Sequence, residues 1–400
     1  MSALAASWEP LSPAERAVAI EVLMHGPLSR GEIARRLDLS AGSLTRLTKP
    51  LIESGLLVEE AWPASSRPAR HTGQGRPSQP LDIVAESRYF AGFKITGDAV
   101  YGVVTTLKNQ VVAQQTRSLG THSPEEVADL LHALVQDFSR DFPRLAGVGV
   151  GVGGHVRGRS TVVDSAFLDW DDVPFAELLE RRTGLPVVVE NDVVALTEAE
   201  TWFGAGRGLD RFVVLTIGAG IGYGLVIGGT LVRGAEDGHG LGKRWIINPN
   251  GPLTPDGERG SAVALLSIPS IRYQVRAALG REIDYPGILA LAASGDPVTG
   301  RVIDEAARGL GVLVAQIANF AMPQKILLAG EGVGLVDVAG ETIQETIAAH
   351  RHPLAEPVDL ETKVSDFNDW ARGAAVLAIQ VLVLGKTDGW SPNHSGRTGV

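Results

Sequence analysis

From Tyr89 onward the chain alternates β-type apolar runs with amphipathic helical stretches, and this limits the available folds more than any other feature. YFAGFKITGDAVYGVVTTL (89–107) reads as two strands around a turn, and SPEEVADLLHALVQDFSRDF (123–142) as a helix with acid in its first turn. LAGVGVGVGG (145–154) is a buried strand running into glycines. FAELLERRTG (175–184) is a helix stopped by Gly184, and LPVVVEND (185–192) is a further strand. After Gly204 the pattern returns as strands, a long loop, helices, KILLAGEGV (325–333) and a last helix, ARGAAVLAIQVLVL (371–384). Such alternation predicts an α/β fold of two lobes around a cleft.

Bulk properties narrow the function classes. Apolar content of 44% and charged content of 20% are those of an ordinary globular protein. No apolar run reaches the length of a membrane span, and the N-terminus lacks a signal-peptide pattern, so a cytoplasmic location without membrane contact is expected. The absence of cysteine excludes disulfides and thiolate metal sites. The net charge of −10 argues against nucleic acid until its distribution is considered. Residues 1–82 carry nine basic and nine acidic side chains, so the acidic excess lies wholly beyond them. Within residues 61–80 there are three arginines and no acid, and local basic patches decide binding to DNA.

PLSRGEIARRLDLSAGSLTRLTKPLIESGLLVEE (27–60) reads as helix, turn, helix and strand, with an upstream helix near 14–24. Ser29 and Glu32 form a capping-box pattern, and Ser40 can cap the second helix. Leu44, Leu47 and Leu51 recur at helical spacing, which turns Ser43, Thr45, Arg46 and Lys49 toward the other side. Pro50 should bend that helix. A basic, hydroxyl-bearing helix face fits the major groove, while Arg76 in the extended Gly-Arg-Pro stretch suits a narrow minor groove. The candidate DNA-binding residues are Ser40, Ser43, Thr45, Arg46, Lys49 and Arg76. The alternative is a three-helix module for protein contacts with a solvated linker behind it.

VVLTIGAGIGYGLVIGG (213–229) poses a second question, because a glycine-rich turn between strands is either a phosphate loop or a tight turn kept for packing. Taken with PVVVENDVVALTEAE (186–200), GAEDGHG (234–240), LLAGEGV (327–333) and ARGAA (371–375), it resembles the ROK family across roughly residues 15–386. That family groups sugar-responsive repressors with sugar kinases. The resemblance implies residues 1–83 as a winged helix-turn-helix with its wing and 88–386 as an actin/hexokinase-like α/β domain of two lobes; the polar, glycine-rich composition of 387–400 is that of a disordered tail. It implies Asn191, Asp192, Glu236 and His239 as sugar contacts, Asp192 being the base in family kinases; the alternatives are that Asp192 caps the following helix and that Glu236 and His239 stabilise a turn.

The same resemblance exposes departures. Lys94, Thr96 and Asp98 stand in the family's Asp-x-Gly-Gly-Thr loop, where lysine cannot ligate magnesium and Asp98 would repel phosphate. Ala219 replaces a hydroxyl in the second loop. Thr254, Asp256 and Ser261 replace cysteines of the family's zinc loop, and Val263 replaces a sugar-contacting glutamate. Oxygens in place of three thiolates should not hold zinc tightly, so turn chemistry must hold that loop. The expected function is a DNA-binding regulator, of repressor type, of carbohydrate genes. It needs no cofactor and no metal, responds to a sugar, and sits on a palindromic operator as a homodimer or homotetramer. The alternatives are a sugar kinase with a DNA-binding arm, or a regulator whose large domain only dimerises.

Overall fold

Ser12 starts the first helix, α1 (Pro13–His25): its hydroxyl accepts from the Glu15 amide, and the Glu15 carboxylate accepts from the Ser12 amide. In the computed structural model, which describes residues 11–59, 79–234, 236–254, 256–364 and 366–385, two more serine-capped helices follow. Ser29 caps α2 (Arg30–Arg36) and Ser40 caps α3 (Ala41–Glu53). Glu32 leaves its capping box half made, because its carboxylate takes Arg36 instead. Pro50 lies in the last turn of α3, and the helix continues to Glu53. A proline so near the helix end removes one hydrogen bond without ending the helix. Strand β1 (Leu57–Glu59) pairs antiparallel with β2 (Leu81–Ile83), forming the stem of a wing. The arm between them, with Arg76, lies outside the described residues.

The first lobe begins with β3 (Tyr89–Ile95), β4 (Ala99–Thr106) and β5 (Val111–Ser118), then α4 (Pro124–Asp141) and β6 (Leu145–Val152). A small sheet of β7 (His155–Arg157), β8 (Thr161–Ser165) and β9 (Trp170–Val173) follows, then α5 (Phe175–Thr183), β10 (Val187–Asn191) and α6 (Asp192–Phe203). Gly184 stops α5 in the left-handed conformation, as its position predicts. The main sheet has the order β10-β6-β3-β4-β5.

The second lobe repeats this plan. It contains β11 (Arg211–Ile217), β12 (Ile221–Ile227), β13 (Thr230–Leu231), α7 (Ala262–Leu266), α8 (Ile268–Leu279), α9 (Tyr285–Ala293), α10 (Pro297–Ala321), β14 (Lys325–Ala329), α11 (Leu335–Ala349) and β15 (Leu360–Thr362). Its sheet order is β13-β12-β11-β14-β15. In each lobe the first strand is antiparallel to the second and parallel to the fourth, and the fifth lies parallel beyond the fourth. Parallel strands end together, so both sheets deliver their strand ends and following loops to the cleft between the lobes.

The last helix, α12 (Phe367–Ala378), returns to the first lobe and continues as a π-helical turn, Ile379–Val383. It crosses β3 and β6 at Gly92 and Gly149, which are register partners. A Cβ on either glycine would collide with a carbonyl of α12, that of Ala371 or Ala374. The helix therefore lies backbone against backbone on the sheet. One apolar core joins Val18, Ile20, Ile33, Leu44 and Leu51 of the winged helix to Trp202 of α6 and to Ala375, Ala378 and Ile379 at the end of α12. The head is thus packed on the lobes rather than tethered to them.

Candidate ligand cleft and nucleic-acid interface

Asn191 and Asp192 sit where β10 becomes α6, the point at which strand side chains enter the cleft. Asn191 is buried and caps α6: its Oδ1 accepts from the amides of Val193 (3.0 Å) and Val194 (3.2 Å). Its Nδ2 donates to the carbonyl of Gly154 at 2.8 Å. Both ends of the amide side chain therefore help to join the helix start to the turn after β6. Asp192 accepts from the Val193 amide through Oδ1 and is ion-paired to Lys94 through Oδ2. Lys94 is buried and Asp192 partly so, and the Lys94 ammonium lies 5.5 Å from the centre of the Trp370 ring.

Glu236 and His239 come from the opposite lobe, on the loop after β13, and both are exposed. An ion-pair network anchors that loop: Arg233 donates to Glu190 at 2.9 Å and to Asp237 at 2.7 Å. Burial pushes the Glu190 carboxyl up from the usual carboxylate range, and Arg233 opposes the shift. Gly238 lies on the Gly154 carbonyl with φ +85°, where a side chain would not fit. His155 donates from Nδ1 to the Asp237 carbonyl at 2.6 Å and stacks on His239 at 4.3 Å between ring centres. A carbonyl can only accept, so Nδ1 carries the proton in this hydrogen bond. Through Gly154 and His155 the structure brings the His239 loop up to Asn191. Sequence reasoning missed His155, Glu190 and Arg233, for which no spacing signal exists.

On the side where nucleotide phosphates would have to lie, the chain supplies its own charges. The turn at Gly218–Gly220 closes on itself, Gly218 donating to the Gly220 carbonyl, while the Ala219 amide donates to Glu331 at 3.2 Å. A Cβ on Gly218 would meet the Glu331 carboxylate, so an internal anion occupies the approach to the turn. The KITGD turn is likewise self-satisfied, with Thr96 bonded to Asp98 and to Ala99. Burial raises the Tyr101 hydroxyl pKa, and Asp98, Asp366 and Glu331 raise it further. These groups do not fit Mg-ATP: Asp98, Asp366 and Glu331 all act on Tyr101 between the two turns, and their charges would repel a phosphate there.

The residues standing in the zinc loop do not fit a zinc ion either. The Thr254 hydroxyl accepts from the Glu258 amide, and the Ser261 hydroxyl caps α7. Arg259 donates to the Gly251 carbonyl, and Gly260 adopts the left-handed conformation against Asn248. Hydrogen bonds and turns hold this segment, as its composition predicts.

On the winged helix, Thr45, Arg46 and Lys49 are exposed along α3, whereas Leu44, Thr48 and Leu51 face the core. Ser40 and Ser43 sit at the helix start, where Ser40 accepts from the Ser43 amide. Lys49 has only a loose pairing with Glu53 at 3.8 Å. One surface of α3 thus carries an arginine, a lysine and a threonine at the edge opposite the core.

A winged helix seated on two α/β lobes of like topology, with a cleft between them, defines a regulator-type member of the actin and hexokinase fold group. The ROK family model matches residues 90–381, and the chain belongs to the ROK family. The xylose repressor of Bacillus subtilis (strain 168) is 25% identical over 317 residues, spanning 77% of this chain and 79% of that one. A crystal structure of a ROK family transcriptional regulator, a homolog of the E. coli MLC protein, matches with TM-score 0.78 at 24% identity, over 93% of this chain and 96% of that one. A ROK family glucokinase from Streptomyces griseus, solved with glucose and AMPPNP, matches with TM-score 0.63 and 25% identity over 73% of this chain and 99% of its own.

Proposed function

We infer that this chain is a DNA-binding transcriptional repressor of carbohydrate genes that responds to a sugar or sugar derivative in its cleft. The observation that carries the reading is the exposed Thr45–Arg46–Lys49 face of α3, on a winged helix whose core is continuous with the ligand lobes. Phosphate contacts would position α3, and Arg46 would read a base edge. The cleft offers Glu236, His239 and His155 to sugar hydroxyls, with Asp192 on the floor. Asn191 contributes by shaping the turn, since its amide is already bonded on both ends. A two-fold operator implies a dimer or a higher even oligomer in the cytoplasm. Selection of duplexes from randomised DNA with the full chain tests this, and failure to enrich any sequence would end the reading.

The kinase alternative loses on chemistry. The Lys94 ammonium holds the carboxylate that would take the sugar hydroxyl proton, and Glu331 faces the turn that would cradle phosphate. With Mg-ATP and a panel of hexoses and pentoses, we expect no sugar-dependent ADP release. Turnover approaching ~1–100 s⁻¹, the usual kinase range, would restore the enzyme reading. A second regulator reading, in which the large domain only dimerises, is favoured by one observation: Asn191 and Asp192 are both satisfied internally.

A further inference from the structure

Lys94 links two things that would otherwise be separate. On one side it holds Asp192, at the floor of the cleft and the first residue of α6. On the other it lies over the ring of Trp370, in the first turn of α12. Trp370 packs into the core beneath the second sheet with Phe212, Val214 and Leu327. Within the next turn, Ala371 and Ala374 lie directly on the Gly92–Gly149 track of the first sheet. Two turns further on, Ala378 and Ile379 are in the core of the winged helix. Within 12 residues α12 thus touches the second lobe, the first lobe and the DNA-binding head. The partner helix α6 makes the same journey: Asp192 begins it, Gly373 of α12 abuts Ala195 in its first turn, and Trp202 in its last turn lies in the core of the head.

We propose that Lys94 and Trp370 are positioning residues through which occupancy of Asp192 sets the seat of the winged helix. This deepens the sugar-responsive reading and rests on it. A sugar hydroxyl bonded to Asp192 competes with the Lys94 ammonium for the same oxygen. A buried ammonium cannot be left without a partner, and among the described residues its other contact is the Trp370 ring. The load therefore passes to the start of α12. At Gly92 and Gly149 the sheet offers no side chain between its backbone and α12, so the helix cannot absorb the change there by rotamer hopping and moves as a unit against the sheet. At its far end the π-helical turn at 379–383 is the place where the ladder is already irregular, next to the head. Lys94, which disables phosphoryl transfer, thereby acquires a second role as the reporter of an occupied cleft.

The test uses the full chain without sugar, so it does not depend on knowing the effector. Hydrogen exchange of α1 and of residues 379–383 is measured alongside affinity for the duplex that the wild type selects. Lys94→Met and Trp370→Leu should each speed exchange in α1 and shift duplex affinity by about fivefold or more, in the same direction. The double variant should go no further than the larger single, because both act on one contact. Trp370→Phe, which keeps a ring for the ammonium, should restore affinity to within about twofold of wild type, a smaller change than a coupled pair produces. Leu313→Ala, in the separate core of the second lobe, controls for general loosening and should lower stability without moving duplex affinity. If Lys94→Met does not fold, Lys94→Met combined with Asp192→Asn leaves no unpaired buried charge and makes the same comparison. Wild-type exchange in α1 in the folded Lys94 variant would overturn the proposal, as would an equal affinity shift in Leu313→Ala. If the wild type selects no duplex, the regulator reading fails on its own, and the exchange measurement alone decides the coupling.

Discussion

Arg46 is the residue on which sequence-specific reading should depend most. It stands exposed on α3 while Leu44 and Leu51 point into the core, so its guanidinium can reach a base edge. Arg46→Ala should cost ~1–3 kcal/mol of specific affinity and relax preference at one position per half-site, measured by selection on randomised DNA. Lys49→Ala should weaken all sequences alike and make the salt dependence shallower. Unchanged preference in Arg46→Ala would remove α3 from the reading role.

His25, at the end of α1, supplies a pH dependence. Burial lowers its pKa below the ordinary 6.5; Arg36 and Arg207 push the same way, against Glu21 and Glu32. A depressed histidine pKa means that its stabilising contribution is present above pH ~6.5 and is lost as the pH falls through the folded value. Denaturant midpoints should therefore fall more steeply between about pH 7.5 and about pH 5.5 in the wild type than in His25→Gln. Equal slopes would contradict the assignment. Single-residue chemistry was partly legible in the sequence: Ser40, Thr45, Arg46 and Lys49 fall where helical spacing puts them. The Lys94–Asp192 pair was not, because its members are 98 residues apart and nothing local links a lysine to that carboxylate. Nor did Asn191 show that its amide would be consumed as a helix cap.

Among elements, the backbone-close seating of α12 makes an unusual prediction about glycine. In an ordinary strand, Gly→Ala stabilises by roughly 0.5–1 kcal/mol. At Gly92 the added methyl would meet the Ala371 carbonyl, so Gly92→Ala should destabilise the chain by ~1–3 kcal/mol or more. Gly300, inside α10 with open space around it, should behave in the opposite way, and Gly300→Ala should gain about 0.5–1 kcal/mol. Denaturant titration of the two variants decides this, and like signs would refute the packing account. Helices such as α3, α4 and α5 were legible because caps and 3.6-residue periodicity are local signals. The shared topology of the two lobes was not, since strand order is set by contacts between distant segments and leaves no short repeat. Pro50 falls in the final turn of α3, and the helix continues past it to Glu53.

The whole molecule joins an acidic pair of lobes to a charge-balanced head through one continuous apolar core. The family resemblance divides the sequence into a winged helix over 1–83 and two lobes over 88–386. The fusion of the cores was not legible in the sequence, because the apolar faces of α1, α6 and α12 each look like ordinary core faces in isolation. That fusion is what makes a ligand-dependent change of DNA affinity physically reasonable, since a ligand shifts an equilibrium only through differential contacts with two states. The most direct measurement is the affinity of the full chain for its selected duplex, and for a scrambled one, with and without each of a panel of free and phosphorylated sugars. The account predicts clear preference for the selected duplex and a change of about 5–150-fold in that affinity with at least one sugar. Equal affinity for selected and scrambled duplexes, or a preference that no sugar alters, would contradict it.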